Sequence, residues 1–138
     1  MLDISRTGQI TMTRGDDISF CLFLDSGNNL ELCRYELNDD DIIYFGVMEP
    51  GKDFECALIR KAYKKVIRED EENKFLPVEY DDEDNDIIIR INNEDTINLL
   101  EGDYYYSIKL VRAIKDELGN IKREEVNTVV GKTKFSIV

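Results

Sequence analysis

The chain has no histidine, only three cysteines and two prolines, and 18 Lys and Arg against 30 Asp and Glu in 138 residues. Without histidine there is no His general base, no Ser-His or Cys-His nucleophile pair, and none of the commonest metal ligand. Cys21, Cys33 and Cys56 are odd in number and spaced by 12 and 23 residues, which fits neither a CxxC pair nor a closed disulfide framework. They are expected to be reduced thiols packed inside as small hydrophobes. The formal charge of −12 excludes general nucleic-acid binding, because a phosphate-tracking surface would work against the field of the whole molecule. No apolar run approaches the ~20 residues of a membrane span. No N-terminal stretch has the charged-then-apolar form of a signal peptide, so no membrane partner is expected and a reducing cytoplasm is. The eight glycines are scattered singly, without a phosphate-cradling loop. Cofactors and catalysis are therefore not expected.

What is present is enough apolar material for one core. The hydrophobic share is 42%, including 7 Tyr and 6 Phe, and 138 residues suit a single domain over residues 1–138. Gln9 to Thr13 alternates apolar and polar residues. Ile18, Phe20, Leu22 and Leu24 then share one strand face, with Ser19, Cys21 and Phe23 on the other. Phe23 needs a neighbour of its own. A turn is expected from Asp25 to Asn29, then a strand from Ile42 to Met48 closed by Pro50-Gly51. Residues 54–67 fit helix or strand, and β-branched and aromatic content favours strand. Residues 69–86 hold ten acids and one base, which places −9 of the −12 in one segment, expected as an acidic surface loop or irregular hairpin. Residues 1–8 are expected as an N-terminal arm. Ile87 to Ile91 resumes strand. A helical turn capped by Asn92 or Asn93 should follow, with Ile97, Leu99 and Leu100 turned inward. Gly102 to Val111 is the clearest strand, with Tyr104, Tyr106, Ile108 and Leu110 on one face, and a Gly119-Asn120 turn leads into one bent or two short final strands. Seven to eight strands and one short helical turn predict an all-β antiparallel sandwich.

Four constellations invite a function. Arg14, Gly15 and Asp16 spell an integrin-type tripeptide, but Gly-Asp between two strand patterns is first of all a hairpin turn. Asp82, Asp84 and Asp86 have calcium-loop spacing, yet Ile87 stands where an EF-hand needs Gly and Asn93 where it needs the bidentate Glu, leaving at most a weak Ca²⁺ site. Paired carboxylates for glycosidase chemistry need a cleft, and 30 acids meet by chance. Leu100, Gly102 and Tyr104 match a tyrosine corner, in which a Tyr near the start of a late strand bonds back to the preceding crossing loop. That marks an immunoglobulin-like (Ig-like) sandwich and is a folding device.

The order of these segments, Arg14-Gly15-Asp16 into residues 18–24, then residues 41–48, Asp95-Thr96 with residues 99–110, and residues 128–137, resembles the immunoglobulin-like N-terminal domain of tailed-phage baseplate upper proteins and related small virion proteins. The resemblance spans residues 10–138. It implies a non-enzymatic viral structural protein assembled in the host cytoplasm into the virion, with other phage virion proteins as partners and a homo-oligomer or symmetric array on the particle. In the large baseplate proteins coiled-coil and receptor-facing regions follow this domain. Here the last strand pattern ends at Val138, so the expected role is an adaptor in baseplate or tail, or a capsid decoration. Two competing expectations remain: an acidic intracellular phage protein that inhibits a basic host protein by mimicking nucleic acid, and a Ca²⁺-dependent carbohydrate-binding module.

Overall fold

Period-two alternation turns successive side chains to opposite faces, so the amphipathic segments of this chain extend and pair into sheets. The structure, a computed structural model, describes residues 2–4, 8–25 and 34–138. Among these it contains ten strands: β1 (Leu2–Ile4), β2 (Ile10–Met12), β3 (Ile18–Leu22), β4 (Ile42–Met48), β5 (Ile59–Lys64), β6 (Leu76–Pro77), β7 (Glu79–Tyr80), β8 (Ile87–Ile91), β9 (Gly102–Lys115) and β10 (Ile121–Ile137). One helical turn, α1 (Asn93–Thr96), joins β8 to β9. The large sheet is ordered β1-β2-β10-β9-β4-β5-β6 and the small sheet β3-β8-β7. This is an Ig-like β-sandwich: β3, β8 and β7 form the sheet that holds the second, fifth and fourth strands of that fold, and β4, β9 and β10 the one that holds its third, sixth and seventh. Two pairings, β2 with β10 and β5 with β6, are parallel, so the sandwich is not purely antiparallel as expected. The strand count exceeds eight because three pieces of two or three residues, β1, β6 and β7, extend the sheet edges.

The core lies between the sheets. Ile10, Met12, Ile43, Phe45, Ile89, Ile91, Ile108, Phe135 and Ile137 are essentially closed to solvent. In antibody-type sandwiches an inter-sheet disulfide packs on a Trp. This chain has no Trp. Three rings occupy that place: Phe20 of β3 lies 5.9 Å from Phe45 of β4 and 6.3 Å from Tyr106 of β9, and Phe45 and Tyr106 stack at 6.0 Å. The Tyr106 hydroxyl donates to the Gly8 carbonyl at 2.5 Å, which ties the approach to β2 onto the same cluster.

Several expectations are corrected. The turn at Arg14, Gly15 and Asp16 exists, with the Asp16 N–H bonded to the Thr13 carbonyl and Gly15 at φ +83°. It is not a hairpin, because β2 lies in the large sheet and β3 in the small one. In α1 the buried side chain is Thr96, whose hydroxyl accepts the Gly15 N–H at 2.9 Å. Ile97 and Leu100 point outward instead, 53% and 78% exposed, while Leu99 packs on the core. Residues 2–4, read as part of an arm, pair with β2 as an edge strand. The acidic segment 69–86, expected as a surface loop or irregular hairpin, carries a 3₁₀ turn at Glu69–Glu71 followed by β6 in the large sheet and β7 in the small one, so the chain changes sheets at Val78. Cys21 and Cys56 are exposed, Cys21 because it sits on the outward parity of β3 and Cys56 because it ends a 3₁₀ turn. Cys33 and most of the turn expected after Asp25 lie outside the described residues, although Asp25 and Arg34 on either side form an antiparallel bridge.

Candidate functional site

The residues singled out in the sequence hold the fold. The Tyr104 hydroxyl donates to the Leu100 carbonyl at 2.7 Å, four residues upstream, which is the tyrosine-corner bond, and Gly102 opens β9 at φ +151°. Of the three calcium candidates, Asp86 is engaged by an arginine, while the Asp82 and Asp84 side chains are exposed. The Arg34 guanidinium donates to the carbonyls of Asp84 and Asn85 and pairs with Asp86 at 3.1 Å, while the Asp81 carboxylate accepts the Asp84 and Asp86 N–H groups. An Arg therefore occupies the oxygen-rich side of the turn. Among the described residues no three acidic or cysteine side chains, those of Asp82, Asp84 and Asp86 included, converge as metal ligands. The ring of Phe23 has the neighbour it needed, the Arg34 guanidinium 5.2 Å from its centroid.

Asp40 and Asp41 are likewise drawn into the structure. Asp41 is fully buried and accepts the Tyr35 hydroxyl at 2.6 Å and the N–H groups of Asn38 and Ala113. Asp40, also buried, faces Lys115 at 2.9 Å, Arg68 at 3.0 Å and Lys64 at 3.7 Å. Lys64 donates to both oxygens of Glu71, at 2.8 and 2.9 Å. The Lys115 ammonium bonded to Asp40, helped by the nearby charges of Arg68 and Lys64, holds the Asp40 carboxyl below its ordinary value, and the Lys64 bond does the same for Glu71. This network joins the ends of β5 and β9 to the Glu69–Glu71 turn.

A different constellation faces outward, on the side of the large sheet turned away from the core. Tyr44 of β4 and Lys109 of β9 are opposite one another in the ladder, and Gly46 of β4 is opposite Arg60 of β5. The 3₁₀ turn Phe54–Cys56 folds back and lays the Phe54 ring over Gly46, where a Cβ would come within 2.5 Å of the ring. Glycine inside a strand often marks such a close approach. Tyr44 meets Phe54 edge-on at 6.2 Å. Arg60 stands 5.4 Å from the Phe54 ring centre and 5.8 Å from that of Tyr44, and the Lys109 ammonium stands 5.0 Å from that of Phe54. Tyr44, Phe54, Arg60 and Lys109, with Ser107, Thr128 and Gly131, line a groove of about 570 Å³. Lys132 and two acids, Asp53 and Glu55, complete its rim. Lys132 is held by the Lys52 carbonyl at 2.8 Å and lies 3.9 Å from Asp53, whereas Arg60 and Lys109 form no ion pair among the described residues. With three cations to two carboxylates, the groove is locally positive on a chain of −12.

Sequence reasoning did not find this groove, because its residues come from five separated segments. The available signal was Gly46 inside the strongest apolar strand. Chemically the groove offers aromatic faces and two cations without counter-ions, which suits carboxylates on a protein surface. No family model, curated protein or solved structure matches the chain. No helix among the described residues is long and apolar enough to cross a membrane.

Proposed function

We propose that this chain is a non-enzymatic structural subunit of a tailed-phage particle, an adaptor in baseplate or tail or a capsid decoration, which holds other particle proteins by surface contact. The observation that carries the reading is the groove of Tyr44, Phe54, Arg60 and Lys109, which sets aromatic rings and two cations on the open face of the sandwich. The order of motifs that resembles baseplate upper proteins supports it. The opposed reading, an acidic mimic that inhibits a basic host protein, needs negative charge presented outward. Four of the ten acids of residues 69–86, Glu71, Glu79, Asp81 and Asp86, engage Lys64, Arg90, their own turn and Arg34, so only part of that charge is presented outward. Mass spectrometry of purified particles tests the proposal, with the chain expected among the particle proteins at a fixed copy number. Capture of a basic host enzyme that is released as salt rises, with no chain in the particles, would favour the mimic.

A further inference from the structure

We infer that the groove binds the acidic β7–β8 turn of a second copy of this chain, so that copies associate head to tail. The inference rests on the groove being a protein-contact site and not on the particle itself. At the tip of the turn Asp82, Glu83 and Asp84 are exposed, and none of the three side chains makes an ion pair among the described residues. The turn is held in shape beneath them by the Asp81 N–H on the Asp86 carbonyl at 2.9 Å and by Arg34. A preset turn loses little freedom on docking. The complementary charges are Arg60 and Lys109, held against Phe54 and without carboxylate partners. The two surfaces do not meet within one molecule: the turn joins strands of the small sheet, and the groove lies on the large-sheet face turned away from it. The contact therefore joins one patch to a different patch on the next copy, an arrangement that propagates as rings or filaments.

Long-range repulsion between molecules of −12 opposes association at very low salt, whereas at ~0.15 M the screening length is about 8 Å and short contact pairs persist. Sedimentation velocity of the full chain at ~0.15 M NaCl should show concentration-dependent species larger than a dimer, weakened about tenfold or more at ~1 M NaCl. Two variants with charge removed, Arg60→Gln/Lys109→Gln and Asp82→Asn/Glu83→Gln/Asp84→Asn, should each stay monomeric with unchanged thermal melting. Mixed in equal amounts, each supplies the surface the other lacks, so they should form one-to-one dimers and nothing larger. A wild-type chain that stays monomeric at both salts, or a variant that associates as the wild type does, would overturn the inference. Both results are independent of whether mass spectrometry finds the chain in particles, so the two proposals fail separately.

Discussion

At Gly46 the lack of a side chain decides where Phe54 lies, and Phe54 decides where Arg60 and Lys109 point. Gly46→Ala should therefore cost about 1–3 kcal/mol by overpacking. In a Phe54→Ala background the same change should cost far less, because nothing then occupies the space. Urea denaturation of the four proteins in that cycle measures the coupling, and additive losses would contradict the packing. Tyr104→Phe keeps the buried ring and removes only the bond to Leu100, so a loss of about 1 kcal/mol is expected in the same assay. The Cys21 thiol is pushed above its ordinary value of 9.0, first by desolvation and then by the carboxylates of Asp81, Asp86 and Asp84. Its alkylation rate should reach half its maximum above pH 9.0, and Asp84→Asn should lower that midpoint. Labelling that is complete and fast at neutral pH would be the contrary result.

Among the elements, β3, β4, β8 and the first ten residues of β9 were legible because a strand half-buried on one face writes its period into the sequence. The alternation in β2 and β3 says nothing of which sheet each joins, which is why their connection was read as a hairpin. β6 and β7 carry two residues each inside an acidic run, too few to show a period, and their partners, β5 and β8, lie elsewhere in the chain. α1 was legible as a turn through its Asn92 cap, but its inward side was not, since Thr96 is buried to receive the Gly15 N–H. β9 and β10 run on beyond their neighbours: the pairing of β4 with β9 stops at Val111, and β10 meets β2 only from Phe135 to Ile137. The free part of this hairpin, with Leu118 86% exposed at its tip, should exchange amide hydrogens faster than residues 104–110, except at Ala113, whose N–H is bonded to buried Asp41. The Asp40 and Glu71 network contributes to the pH response, as does Asp103, whose carboxyl is held below its ordinary value by its bonds to Ser136 and Lys134. Because the Asp40 and Glu71 carboxyls titrate lower in the folded chain than their ordinary values of 3.8 and 4.5, their contribution is complete above those values and is lost as pH falls through the lower folded ones. Thermal melting followed from pH 6 to 3 should decline steeply below about pH 4, and Asp40→Asn should be less stable at neutral pH with a shallower decline. Parallel curves for the two proteins would exclude Asp40 from the response.

For the whole molecule the charge has a narrower meaning than its total suggests. The −9 carried by residues 69–86 is partly neutralised by Lys64, Arg90 and Arg34, and the acids outside those pairs lie at two places, Glu69, Asp70 and Glu72 at the 3₁₀ turn and Asp82, Glu83 and Asp84 at the tip of the β7–β8 turn. On the opposite layer the large sheet presents cations on aromatic rings. A sandwich with such opposed faces and no histidine for acid-base work is suited to being built into an assembly. Mass spectrometry of phage particles purified from a lysate that contains the chain tests the proposed particle role most directly. The chain is expected in the particle at a stoichiometry that is a multiple of the particle's symmetry. A chain abundant in the infected lysate and missing from the purified particle would contradict it.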